Sequence, residues 1–184
     1  GYAVEINALW YNAVCYMLEL AEEAKDNAFI QEWQDMPELI RKSFVETFWN
    51  DEKGYLADYA DEKGQNLDVR PNQVFACSLT YSPITDDMKE RVLKVVTRKL
   101  LIPKGLRTLS PKNPKYRGHY EGNQEERDNA YHQGTVWPWL IGAYIEANLK
   151  LYGKQFLPEA KELLDGYEED MTLYGLCSIA EVYD

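Results

Sequence analysis

Six stretches of this 184-residue chain carry apolar side chains at helical spacing, and no stretch alternates convincingly as a β-strand. The opening stretch is the clearest: Ile6, Leu9, Trp10, Ala13, Val14, Met17, Leu18 and Ala21 fall on one face of a 3.6-residue repeat. A second helix is expected from Asp35, with Pro37 in its first turn and Glu38 three residues after the cap. Its apolar side is Ile40, Phe44, Val45, Phe48 and Trp49. A third follows Arg70 and Pro71 and runs through Val74, Phe75, Cys77 and Leu79 toward Tyr81. A fourth starts at the cap residue Thr85 and uses Met88, Val92, Val95, Val96 and Leu100. The fifth, from about Gly134 to Tyr152, is long and very apolar, and Pro158 opens a sixth through Ala160, Leu163 and Leu164. The fold class that follows is all-α.

The connections narrow the architecture further. The links at about 50–69 and 102–133 are long, another irregular stretch begins near Asp170, and the remaining links are short or moderate. If successive helices run antiparallel, every long connection emerges at one end, together with the start of the first helix and its Glu5. Long loops in a compact domain are usually functional or disordered. These hold Tyr, Asn, Arg, His and carboxylates, not low-complexity sequence, which favours function. The odd-numbered helices are apolar over most of their surface, whereas the even-numbered ones are charged on one face. The expected architecture is a partial (α/α)6 toroid: about three helical hairpins, inner and outer helices alternating, with the long loops gathered at one end. Residues 1–184 are read as the C-terminal part of a single domain, cut short at both ends.

Charge and cysteine content exclude several function classes. The chain has 31 acidic and 20 basic residues, a net charge of −11, which repels nucleic acid on average and leaves neutral ligands unaffected. No apolar run is long enough for a membrane span, and the first residues lack the pattern of a signal peptide. Cys15, Cys77 and Cys177 all have apolar neighbours and are expected to be buried, reduced thiols, in keeping with a cytoplasmic location. Fourteen Tyr and five Trp can fill gaps between helices, and some can serve as flat platforms for the C–H face of a sugar ring.

The motifs point to carboxylate chemistry. Two histidines, His119 and His132, form no ligand set with Cys or carboxylates, so no metal is expected. No Gly-x-Ser-x-Gly nucleophile motif and no phosphate or dinucleotide loop occurs, so no cofactor is expected either. Glycoside hydrolysis needs one carboxylic acid and one carboxylate. Candidates are Glu5, Asp58, Asp68, Glu121, Asp128, Glu181 and Asp184, most of which read singly as solvated loop charges. Glu5 and Glu181 differ because small or apolar residues flank both. Such a carboxylate is expected to be desolvated, either for catalysis or as a buried helix cap. The run Tyr131-His132-Gln133-Gly134-Thr135-Val136-Trp137-Pro138-Trp139 reads either as a capped, Trp-packed helix start or as a sugar subsite.

Five segments in order carry a family resemblance: Val4-Glu5-Ile6-Asn7-Ala8-Leu9-Trp10-Tyr11-Asn12, Arg70-Pro71-Asn72-Gln73, Leu106-Arg107-Thr108-Leu109, Tyr131-His132-Gln133-Gly134 through Trp137-Pro138-Trp139, and Ser178-Ile179-Ala180-Glu181. Together they resemble the C-terminal amylo-α-1,6-glucosidase domain of glycogen debranching enzymes, from the first residues to the last, with weaker stretches near 22–35 and 155–172. The resemblance implies an (α/α)6 toroid and inverting hydrolysis of α-1,6-linked glucose in glycogen, limit dextrin or branched maltooligosaccharides. It assigns the catalytic base to Glu181. It also implies glucose contacts at Glu5, Asn72, His132 and Gln133, with Trp137 as a platform. The family's general acid is an Asp in a Trp-Met-Asp motif ahead of the Val-Glu-Ile-Asn helix, and a Gly/Pro-rich segment and a final helix follow the Glu motif. Neither lies within these 184 residues, so the chain alone is expected to be inactive. The expected partner is an α-glucan, with self-association through the truncated faces. Competing readings are a different toroid α-glucosidase, a non-catalytic carbohydrate-binding helical domain, and a helical-repeat interaction module; no fixed-period repeat supports the last.

Overall fold

The computed structural model describes residues 1–173 and 176–184, so part of the irregular stretch read from Asp170 lies outside the described residues. The fold is mostly helical, with three small antiparallel sheets set into the connections. The chain divides into two compact units: Gly1–Leu67 with Asn72–Val92, and Asp68–Pro71 with Leu93–Asp184.

The first unit is built around α1 (Val4–Ala24), which packs on α2 (Asn27–Trp33), α3 (Met36–Phe48) and α4 (Val74–Ser78). Lys25 ends α1 in the left-handed region at φ 57°, and its N–H returns to the Ala21 and Glu22 carbonyls. Asp26 then caps α2 by accepting the Phe29 N–H at 3.1 Å. That short helix falls in a stretch where the periodicity gave no signal. Asp35 does not cap α3 as expected. Its own backbone is already helical, and Glu38 binds Arg41 instead of turning back to the cap. The third expected helix stops early, at Ser78, where Leu79 turns extended and the Ser82 hydroxyl donates to the Ala76 carbonyl at 2.6 Å. Strands β1 (Tyr2–Ala3), β4 (Tyr59–Asp61) and β5 (Gly64–Asn66) form one sheet, and β2 (Trp49–Asn50) pairs with β3 (Tyr55–Leu56). The long link at 50–69 is therefore two hairpins, not an irregular loop.

The apolar face expected on α1 is only partly the buried one: Val14 and Ala21 of it are buried and Leu18 half-buried, and the buried side continues through Val4 and Ala8 instead. Ile6, Leu9, Trp10 and Met17 are exposed. Small side chains let α1 approach its three neighbours closely, and the larger ones are left on the opposite side.

The second unit begins inside α5 (Asp86–Lys99), at Leu93. As expected, Thr85 caps α5, its hydroxyl accepting the Met88 N–H at 3.4 Å. Strands β6 (Leu101–Ile102), β7 (Gly105–Arg107) and β8 (Val136–Trp137) make a sheet in that order, with α6 (Gln124–Ala130) between β7 and β8 in the chain. Asn123 and Glu126 close α6 with a reciprocal capping box. Helix α7 (Leu140–Tyr152) starts six residues later than expected. Trp137 precedes Pro138, and a residue before proline is driven to extended backbone, so 136–137 join the sheet and the helix begins beyond the proline. Helix α8 (Leu157–Asp165) holds the expected Pro158 in its first turn. A part-buried 2.6 Å hydrogen bond between Thr97 Oγ1 and the Tyr144 hydroxyl ties α5 to α7. Cys77 is buried as expected and Cys15 half-buried, but Cys177 is exposed, with φ 59°.

Candidate active site

In the first unit, Glu5 stands in the first turn of α1, where the helix dipole favours a carboxylate. The entry to α1 is pinned by pairing of Ala3 with Tyr59 and by the Val4 N–H, which donates to the Asp58 carbonyl at 3.0 Å. Asn72, in the 3-10 turn Pro71–Gln73, donates its side-chain amide to Glu5 Oε1 at 3.0 Å. Both side chains are half-buried. The pair presents a carboxylate and an amide side by side, a combination that suits sugar hydroxyls, which both donate and accept.

The second unit gathers the remaining candidates. Gly134 sets the turn before β8: its φ is +152°, and a Cβ there would stand 2.5 Å from the Arg117 carbonyl oxygen. The buried Thr108 hydroxyl accepts the Gly134 N–H and donates to the Thr135 carbonyl, both at 2.9 Å. The Arg70 guanidinium spans the same turn, reaching the carbonyls of Thr108 at 3.0 Å and His132 at 2.6 Å, and Gln133 Oε1 at 2.9 Å. Gln133 thus commits its side-chain oxygen to holding the turn.

This turn displays an aromatic stack. The Trp137 indole N–H donates to the Tyr131 carbonyl at 2.9 Å. The exposed His132 ring lies nearly parallel to the indole, at 5.2 Å and 18°, and Tyr131 stands edge-on to it at 4.7 Å. Tyr120 packs against Tyr131 at 5.6 Å. The Tyr131 hydroxyl donates to Glu181 Oε2 at 3.2 Å. Burial raises the Tyr131 phenol above its usual range, and the hydrogen bond to Glu181 and its negative charge push the same way.

Glu181 owes its position to the residues that follow it. Tyr183 and Val136 exchange backbone hydrogen bonds of 2.8 and 2.9 Å, so the tail adds one antiparallel bridge beside β8. The Asp184 carboxylate accepts the Tyr120 N–H at 2.7 Å. The Tyr183 hydroxyl donates to Asp170 Oδ2 at 3.0 Å, and Lys104 Nζ reaches the same oxygen at 2.6 Å. The Lys104 ammonium holds the Asp170 carboxyl below the usual carboxylate range, with help from the Tyr183 hydroxyl. The expected desolvation of Glu181 does not occur: it is exposed, as is Ile179 beside it. Backbone pairing at Tyr183, not burial of the apolar flanks, fixes the segment.

The structure thus joins Glu5 to Asn72 in one unit, and Glu181 to the Tyr131–His132–Trp137 stack in the other. Of the remaining carboxylates, Asp68 accepts the Asn113 amide at 2.6 Å and Asp128 the Gln124 amide at 2.7 Å, both holding local structure.

All 184 residues match the family described as amylo-alpha-1,6-glucosidase. The chain belongs to the amylo-α-1,6-glucosidase family. A relative is the glycogen debranching enzyme of Saccharomyces cerevisiae (strain ATCC 204508 / S288c), 27% identical over 187 residues. The match takes in 80% of this chain and only 12% of the yeast protein. Among solved structures, the GH63 mannosylglycerate hydrolase from Thermus thermophilus superposes with a TM-score of 0.71 at 16% identity, covering 99% of this chain and 39% of that one. Neutral trehalase from Saccharomyces cerevisiae superposes with a TM-score of 0.75 at 16% identity, covering 99% and 34%. This family member therefore has the fold of part of larger (α/α)6 toroid enzymes and spans well under half the length of each.

Two residues of the site had no role of their own in the sequence reading. Tyr131 opens the Tyr-His-Gln-Gly run, read as a whole as a possible sugar subsite, and Arg70 opens the Arg-Pro-Asn-Gln run. Their contacts to Glu181 and Gln133 span 50 and 63 positions of sequence, which no local pattern reports.

Proposed function

We propose that this chain carries the base side of an inverting α-1,6-glucosidase site acting on glycogen or a related α-glucan, with Glu181 as the general base. Ionised Glu181 takes a proton from a water, whose oxygen attacks the anomeric carbon of an α-1,6-linked glucose. The glycosidic C–O bond breaks, and a general acid protonates the departing oxygen. That acid would stand roughly 6.5–9.5 Å from Glu181, leaving room for the water. No Trp-Met-Asp sequence occurs among the 184 residues, so the chain by itself is expected to bind glucan without turning it over. The observation that carries this reading is the hydrogen bond from Tyr131 to Glu181, which ties the carboxylate to a ring packed against both His132 and Trp137. His132 and the edge of Trp137 form the apolar wall of the subsite, and Gln133 supports the turn. In the other unit, Glu5 and Asn72 offer hydroxyl-binding groups. Three free thiols suit a cytoplasmic setting.

The test is hydrolysis of a glucosyl-branched maltooligosaccharide by a polypeptide extended to the length of the relatives, beside its Glu181→Gln variant. A loss on the order of 10²–10⁴-fold in kcat is expected, the range of one general base. Undiminished turnover in the variant contradicts the assignment. Binding without hydrolysis in the extended wild type leaves a carbohydrate-binding domain instead.

A further inference from the structure

The segment that carries Glu181 has little backbone to hold it. Tyr183 and Val136 form a single bridge beside β8, and each of its two hydrogen bonds is largely offset by one that water would make. The Tyr183 side chain adds a second hold, and it ends on a cation from a distant turn. Lys104 is the second residue of the two-residue turn between β6 and β7. Its ammonium donates to the Gly166 carbonyl at 2.7 Å and to Asp170 Oδ2 at 2.6 Å. It also lies over the rings of Tyr167 and Tyr183, 5.9 and 5.8 Å from their centroids. The Tyr167 hydroxyl donates to the Lys104 carbonyl at 2.7 Å, so the residue is gripped at both ends.

We propose that Lys104 is a positioning residue for Glu181: caged by Asp170, Gly166 and the Tyr167 and Tyr183 rings, its ammonium fixes the Tyr183 side chain and, through it, holds the carboxylate two residues earlier against Tyr131. Its effect on turnover depends on Glu181 being the general base; its effect on where the carboxylate stands does not.

The setting of the pair suits that role. Ion pairs such as Arg41–Glu38, Lys89–Asp86 and Lys150–Glu146 join near neighbours on one helix and face water, where they hold little. Lys104 and Asp170 are 66 positions apart, and their side chains are only 30% and 10% exposed. An ion pair screened from water in this way is costly to break, because the partner left behind is a buried, uncompensated charge. The Gly166 and Asp170 contacts would by themselves tie the β6–β7 turn to the end of α8. Tyr183 adds nothing to that tie, yet it joins twice: its ring meets the ammonium, and its hydroxyl donates to the same Asp170 oxygen at 3.0 Å. The Glu181 segment is thereby brought under the same cation.

The test reads the Tyr131 Cζ shift of the 184-residue chain at neutral pH, where it reports the hydrogen bond to Glu181. Lys104→Met should move that shift as far as Glu181→Gln does, and the two changes together should move it no further. Tyr183→Phe keeps the ring and the backbone bridge, loses only the contact to Asp170, and should move the shift part of the way. In the extended protein, Lys104→Met should lower kcat by up to about 100-fold with KM little changed, the cost of shifting a reacting group by about 1 Å. In a Glu181→Gln background it should lower kcat no further. A Tyr131 shift that stays at its wild-type value in Lys104→Met with an unchanged circular dichroism spectrum overturns the proposal. Should that variant not fold, a wild-type shift in Tyr183→Phe overturns it equally. Wild-type kcat in Lys104→Met beside an inactive Glu181→Gln also contradicts it. If the shift moves as expected while extended Glu181→Gln turns over undiminished, the positioning stands and the reading of Glu181 as the base falls.

Discussion

Tyr131 joins the proposed base to the aromatic wall beside it. Its hydroxyl holds Glu181, its ring stands edge-on to Trp137, and its carbonyl takes the indole N–H. Tyr131→Phe keeps the ring and the carbonyl and removes only the hydroxyl. We expect it to lower kcat of the extended protein by less than Glu181→Gln does, with little change in KM. The titration of Tyr131 offers a second check. Its folded pKa lies above the unfolded phenol value of about 10. The stabilising contact is therefore complete below that value and is lost as pH rises through the higher folded pKa. Burial is the largest cause, so Glu181→Gln should bring the raised pKa only part of the way back, as read from the Tyr131 Cζ shift in an NMR titration. A full return to the ordinary value would mean that Glu181, and not burial, dominates.

At the scale of elements, two devices build the second unit's site: the turn that leads into β8 and the clasp that returns the tail to it. Thr108→Val leaves the Gly134 N–H without its acceptor inside the protein, which should cost about 1–3 kcal/mol in urea unfolding. The clasp depends on Asp170, whose folded pKa is depressed by Lys104 and Tyr183. Its contribution is present above the unfolded carboxyl value of about 3.9 and is lost as pH falls through the lower folded one. Hydrogen exchange at the Tyr183 amide should accordingly speed up at acid pH, and Lys104→Met should move that transition to higher pH. How much of this could be read beforehand differs by element. The starts of α3, α5 and α8 carry short-range signals, Pro37, Thr85 and Pro158, and all three helices occur where those signals stand. The strands were illegible because each is two or three residues long, too short for alternation to register. Helix α1 was found by its periodicity, yet its buried side was only half read: Val14 and Ala21 are buried as expected, Ile6, Leu9, Trp10 and Met17 are not. Amphipathicity reports which side is apolar, not which neighbour covers it. Apolar flanks set Glu5 and Glu181 apart from the other carboxylates, but Glu181 is exposed and Glu5 half-buried, so the flanks did not report burial, and the roles proposed for them and for Asn72 rest on the motifs.

For the whole molecule, a family match over every residue and a fold shared with part of two larger enzymes set the frame for Glu181. Among the described residues no helix is long and apolar enough to cross a membrane. The 184-residue chain is expected to bind a branched maltooligosaccharide, seen as quenching of Trp137 fluorescence that Trp137→Phe removes, and to release no glucose from it. The central claim, that Glu181 activates water, is tested most directly by replacing that function with an anion that needs no base. In the extended protein, Glu181→Ala should be nearly inert toward an α-1,6-linked glucoside and should recover turnover with azide, giving the β-glucosyl azide by inversion at the anomeric carbon. Recovery with the α-azide, or no recovery in a folded variant that still binds glucan, would contradict Glu181 as the base of an inverting enzyme.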